Sequence, residues 1–167
     1  KKLVIIVFTY LSLNLYSQNS NELIANPVNI PLKLAGNFAE LRANHFHMGV
    51  DIKTQGKEGV PIFSVLDGYV SRLKISSFGY GKVIYIDHPN GTTSVYAHLQ
   101  RLAPKLDSLL RSYQKEQQSW EIELFFEKDQ LIISKGELIA YSGNTGGSTA
   151  PHLHFEFRDT KTEHALN

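Results

Sequence analysis

No cysteine occurs among the 167 residues, which excludes disulfides, thiolate nucleophiles, thiolate-ligated zinc and a lipidated cysteine near the amino terminus. Any metal held by this chain must therefore be met by nitrogen and oxygen ligands. Net charge is nearly absent as well: 17 Lys and Arg against 16 Asp and Glu leave +1. The basic residues are scattered rather than clustered, so no nucleic-acid partner is expected. No internal repeat, low-complexity tract or interdomain linker is present, and 42% hydrophobic residues suffice for the core of one compact domain. The only methionine is Met48, so the sequence shows no initiator and a longer parent chain remains an open expectation.

What is present begins with Lys1-Lys2, an apolar run from Leu3 to Leu11 and a small, polar stretch to Ser17. That order reads as an export signal over residues 1–18, cleaved near Ser17 or Gln18. The run is well short of the ~20 residues a spanning helix needs, so no stable membrane insertion is expected once it is removed. Residues 19–34, with Pro27 and Pro31, read as an extended lead-in to a domain over 35–167.

Within that domain, runs rich in β-branched and aromatic residues alternate with glycine turns: Val60 to Leu66, Tyr69 to Ile75, Lys82 to Asp87, Thr92 to Leu99, Leu138 to Ser142 and His152 to Arg158. The pattern predicts mainly antiparallel β structure. His88-Pro89-Asn90-Gly91 reads as a hairpin in which Asn-Gly supplies two residues of positive φ. One amphipathic helix is expected over Leu102 to Gln118, where leucines recur at helical spacing, followed by a short strand over Trp120 to Phe126. Together they look like an insertion, about 104–130, available as one wall of a groove.

The chemistry lies in three histidine clusters: His47-Met48-Gly49-Val50-Asp51, Tyr96-Ala97-His98-Leu99 and Pro151-His152-Leu153-His154-Phe155-Glu156. Imidazole and carboxylate are ligands that zinc accepts, and three protein ligands leave a position open, as catalytic sites do. His47 and Asp51, four apart, share a face on either a strand or a helix. His152 and His154 share a face of one strand while Leu153, Phe155 and Phe157 turn to the core. Only one of that pair need bind metal; the other is free for acid or base work near neutral pH. His98 is placed by alternation on the same face as Tyr96.

These motifs in this order, with Gly79-Tyr80-Gly81 and Gly143-Asn144-Thr145-Gly146 before the last, resemble the M23 family of zinc metallopeptidases, the lysostaphin and LytM-like peptidoglycan endopeptidases. The resemblance spans about Phe38 to Arg158. It implies a mainly β fold, an open antiparallel β-sandwich of the duplicated hybrid motif type, here with one inserted amphipathic helix. It implies one Zn2+ per chain held by His47, Asp51 and His154, with His98 and His152 as the catalytic imidazoles that orient and deprotonate the attacking water and stabilise the tetrahedral oxyanion. Which of the two is the base stays open. The implied activity is that of an exported metalloendopeptidase, periplasmic or extracellular, cutting amide bonds in the peptide stems or cross-bridges of peptidoglycan. The alternative is a non-catalytic regulator of that family that binds and activates a cell-wall amidase.

A substrate groove lined by Phe78, Tyr80, Tyr96 and Asn144 would suit an extended peptide. Ala150 stands where the family commonly has glycine, at a cost of about 1 kcal/mol if the position is left-handed. His45 is expected to pack behind the ligands rather than join them, and His88 and His164 to be solvated. Residues 143–148 read as a tight turn, lacking the ending of a P-loop. Glu156 either hydrogen-bonds a ligand or closes a polar face.

Overall fold

The computed structural model describes residues 23–43 and 45–167. The expected signal, and the first residues of the lead-in, lie outside the described residues. Two antiparallel sheets pack through one apolar cluster. The larger runs β1 (Leu34–Gly36), β2 (Val50–Lys53), β11 (His152–Asp159), β6 (Thr92–Ala97), β5 (Lys82–Asp87), β4 (Gly68–Ile75) and β8 (Ile122–Phe125). β12 (Ala165–Leu166) adds to β11, and β9 (Ile132–Ile133) adds to β4. The smaller sheet is β3 (Pro61–Phe63), β10 (Leu138–Ser142) and β7 (Leu99–Leu102).

Alternation along these strands builds the interior. Ile52, Leu73, Ile84, Ile86, Tyr96 and Leu153 of the large sheet meet Ile62, Leu99 and Ile139 of the small one, all fully buried. The opposite face of the large sheet carries a second, smaller cluster of Val83, Tyr85, Val95 and Ala97, with Tyr80 packed against it. The helix, α1 (Pro104–Gln117), lays Leu106 and Leu110 into the main core. Proline at its first turn costs no hydrogen bond there, and Gln118 ends it in a left-handed conformation. The mainly β, open-sheet architecture with one helix is the one the motifs implied.

The run from Thr92 to Leu99, expected as one strand, is divided at His98, whose φ of 58° is unusual for a residue with a side chain. The chain turns there from the large sheet (β6) into the small one (β7). That corner corrects the placement of Tyr96 in a groove: alternation stops at His98, so Tyr96 stays 0% exposed in the core. Its hydroxyl accepts from the Val65 N–H at 3.0 Å and shares a hydrogen bond with the Ser94 hydroxyl at 3.0 Å. Tyr96→Phe is therefore expected to lower unfolding free energy by about 1–3 kcal/mol in a urea titration, the cost of leaving such buried groups unpaired. Catalytic rate should not change.

His88 is also corrected. It is buried, donating from Nδ1 to the Asp67 carbonyl at 2.8 Å, with Nε2 2.8 Å from Ser94 Oγ. The hairpin beside it is longer than a two-residue turn, with His88 N–H bonded to the Thr92 carbonyl and Gly91 alone at positive φ. Ala150 is not among the residues of positive φ, so the expected strain of replacing glycine there does not arise.

Candidate metal centre

Strand register assembles the site. In the ladder between β11 and β2, His154 stands opposite Asp51, and in the ladder between β11 and β6 it stands opposite Ala97, the residue before His98. Directly opposed residues of an antiparallel pair project from one face, and the two-residue period adds His152, Glu156 and Arg158 to that face. His47 comes from the segment before β2, which runs close against β11. A Cβ on Gly49 would lie 2.2 Å from the Phe155 carbonyl oxygen, so that approach requires glycine.

Each of the three candidate ligands has its outer atom committed elsewhere. His47 Nδ1 donates to the Asn37 carbonyl at 2.7 Å; a carbonyl only accepts, so the proton sits on Nδ1 and Nε2 presents a lone pair. His154 Nε2 donates to Glu156 Oε1 at 2.7 Å, which leaves Nδ1 facing inward. Asp51 Oδ2 accepts from Arg42 Nη2 at 3.0 Å, which leaves Oδ1. The inward atoms, His47 Nε2, Asp51 Oδ1 and His154 Nδ1, lie 3.0 Å from one another. Ligand atoms about 2.0–2.1 Å from a tetrahedral zinc are spaced about 3.3 Å apart. Three lone pairs converging at that spacing fit a small divalent cation with N and O ligands, and these residues form the one such cluster among the described residues.

The electrostatics agree. Burial alone would raise the Asp51 carboxyl, but hydrogen bonds from His152 and His154 and the charges of His152 and His47 hold it well below the usual carboxylate range. Burial opposes charge on His154 and His152, yet hydrogen bonding to Asp51 raises both imidazoles above their ordinary value. The point at which the ligands converge thus favours positive charge, whether a proton or a metal ion.

Two further imidazoles stand beside it. His98 donates from Nδ1 to the Thr145 carbonyl at 2.8 Å, so its Nε2 lone pair lies on the opposite edge of the ring. Burial pushes His98 down to about 4, the charges of His152 and His154 adding to it while the bond to Thr145 opposes. His152 donates from Nδ1 to the Ala150 carbonyl at 2.8 Å, and its Nε2 is 3.3 Å from Asp51 Oδ1. The two rings are 4.8 Å apart between centroids.

The profile of Peptidase family M23 matches residues 45–115 and 123–167. The chain belongs to peptidase family M23. An uncharacterized metalloprotease of Haemophilus influenzae is 33% identical over 111 residues, which cover 66% of this chain and 18% of the relative. The peptidoglycan DD-endopeptidase ShyC of Vibrio cholerae is 28% identical over 153 residues, 86% of this chain and 29% of the relative. The chain thus spans less than a third of the length of these curated relatives. In fold it resembles the catalytic domain of the antimicrobial peptidase lysostaphin from Staphylococcus simulans, with a TM-score of 0.57 and 23% identity over 81% of this chain and 88% of that one.

In this M23 domain the five residues named from the motifs come together on the outer face of the large sheet. Of the groove residues, Tyr80 is half-buried with its hydroxyl donated to Glu156, and Phe78 is 80% exposed on the same turn. Asn144 is half-buried, its Oδ1 covered and without a partner among the described residues. Tyr96 is elsewhere, in the core. His45 and His164 are exposed. Residues 143–147 form the turn whose Thr145 carbonyl holds His98. Glu156 resolves as a hydrogen-bond partner of a candidate ligand, fully buried and accepting from His154, Tyr80 and Arg158 Nε. Two residues escaped the sequence reading. Arg158 was within reach of it, since it continues the two-residue period of His152, His154 and Glu156. Arg42 was not, because its loop carries no periodicity.

Proposed function

We propose that this M23 domain is a zinc endopeptidase that acts outside the cytoplasm on amide bonds in the peptide stems or cross-bridges of peptidoglycan. The observation that carries the proposal is the convergence of His47 Nε2, Asp51 Oδ1 and His154 Nδ1 at 3.0 Å, with two more imidazoles alongside. The name of the ShyC relative supplies the substrate class. The export-like order of the first residues supports action outside the cytoplasm, and no helix among the described residues is long and apolar enough to cross a membrane.

His47, Asp51 and His154 would hold the zinc, which would supply Lewis acidity and charge stabilisation at the scissile carbonyl. The chain's own groups do the rest. His98, its Nδ1 proton fixed by the Thr145 carbonyl, receives a proton from the attacking water at Nε2. His152, held through Nδ1 by the Ala150 carbonyl at 2.8 Å, stabilises the developing oxyanion in its protonated form. Glu156 keeps the proton of His154 on Nε2, so that Nδ1 remains a donor of electron pairs.

Metal analysis of the purified chain should return about one zinc per molecule, and incubation with isolated cell walls should release peptides or uncross-linked muropeptides. Chelation should stop that release and added zinc restore it. A protein that holds no metal overturns the proposal. One that digests nothing yet accelerates a cell-wall amidase establishes the regulator instead.

A further inference from the structure

We infer that Tyr80 is a positioning residue that joins the two halves of the site, steadying the His154 imidazole through Glu156 while its backbone holds the His98 corner. The inference rests on His154 being a metal ligand. Tyr80 lies in the turn between β4 and β5, and its hydroxyl donates to Glu156 Oε1, the oxygen that also accepts from His154 Nε2. Arg158 contacts both partners, donating from Nε to Glu156 Oε2 at 2.7 Å and from Nη2 to the Tyr80 hydroxyl at 3.1 Å. The Tyr80 ring covers His154, centroids 5.3 Å apart and planes inclined by 30°. On the other side, the Tyr80 carbonyl accepts the His98 backbone N–H at 2.9 Å.

The turn that carries Tyr80 is itself locked to the loop that orients His98. Gly147 N–H donates to the Gly79 carbonyl at 2.8 Å. A Cβ on Gly146 would stand 2.3 Å from the Gly81 nitrogen, so the two turns pack backbone against backbone. Thr145, between these contacts, is the residue whose carbonyl accepts from His98 Nδ1. One tyrosine therefore bonds the carboxylate behind a ligand imidazole through its hydroxyl and the backbone N–H of a catalytic one through its carbonyl. A buried carboxylate deprived of one donor re-aims to recover it, and the imidazole bonded to that carboxylate moves with it. Groups that orient ligands from behind are typically worth about 10–100-fold in metal affinity.

The test is a double-mutant cycle on zinc affinity, measured by competition with a chromogenic chelator on the full chain. Glu156→Gln is expected to weaken zinc about 10–100-fold and Tyr80→Phe about 5–20-fold. The double variant should be no weaker than Glu156→Gln alone, because the hydroxyl acts through the carboxylate. Tyr80→Phe that binds zinc as wild type does, or effects that multiply in the double variant, overturns the inference. The visible spectrum of the cobalt-loaded protein is the second readout, taken at saturation so that a lower folding stability does not enter. Tyr80→Phe and Glu156→Gln should shift its bands in the same direction, and an unshifted Tyr80→Phe spectrum overturns the inference. A wild type that binds neither metal removes the metal-centre reading itself, whereas a binding wild type with an indifferent Tyr80→Phe removes only the role of Tyr80.

Discussion

Replacing Asp51 by alanine is expected to leave a folded domain that holds almost no zinc and releases no peptide from cell walls. Asp51 is the single anionic group among the three inward-facing side chains. Its second oxygen balances Arg42, whose Nη2 is 3.0 Å away. Without the carboxylate, Arg42 keeps Glu40 Oε2 at 3.2 Å as its remaining ion-pair partner, and the cluster loses its one anionic donor. Near a protein surface a pair of unit charges about 4 Å apart is worth about 4 kcal/mol, so a loss of about three orders of magnitude in affinity is the floor for a divalent ion. Stability should hold, because the packing of β2 is carried by Ile52, 2% exposed, while Asp51 is only half-buried. Asp51→Asn keeps an oxygen without the charge and should fall between the two. Chelator competition and a urea titration read both quantities. Retention of zinc within tenfold of wild type in Asp51→Ala would falsify its assignment as a ligand.

The parts of this fold that could be read beforehand are those whose burial repeats. β5 and β11 announce themselves because every second residue enters a core, and the same period predicted that His152 and His154 share a face. β1, β9 and β12 could not be found that way, since strands of three or two residues are too short to show a period. β7 was hidden for a different reason. The chain keeps a strand-like composition through His98, but one left-handed residue carries it into another sheet. The same residue explains why His98 was correctly grouped with the other histidines while Tyr96 was misplaced beside it. Arg42 marks the limit of local reading. It meets Asp51 only because the loop between Leu41 and Phe46 folds back on itself through a bridge between those two residues. Glu156 could be suspected from its spacing to His154, but its choice between solvent and ligand was decided by Tyr80 and Arg158, which arrive from a turn and from the far end of β11.

Replacing His98 by alanine is expected to lower kcat about 10²–10⁴-fold, the usual worth of a positioned proton-transfer group, with zinc content unchanged. The two free imidazoles are not equivalent. His152 has Nδ1 bonded to the Ala150 carbonyl and Nε2 3.3 Å from the inward-facing oxygen of Asp51, so removing it should disturb metal affinity together with rate. His98 is bonded to the frame through Nδ1 alone, and burial keeps it uncharged near neutral pH, so that its Nε2 can accept a proton. Its loss should therefore separate rate from metal binding. Alanine at a φ of 58° carries no less strain than histidine, and asparagine tolerates that region better. His98→Asn thus keeps the corner between the sheets without supplying a base of comparable strength. If both variants hold zinc as wild type does and both lose most of their rate, the defect lies in proton transfer and not in the path of the chain. If either sheds zinc in step with activity, His98 supports the metal centre and the base must be sought at His152.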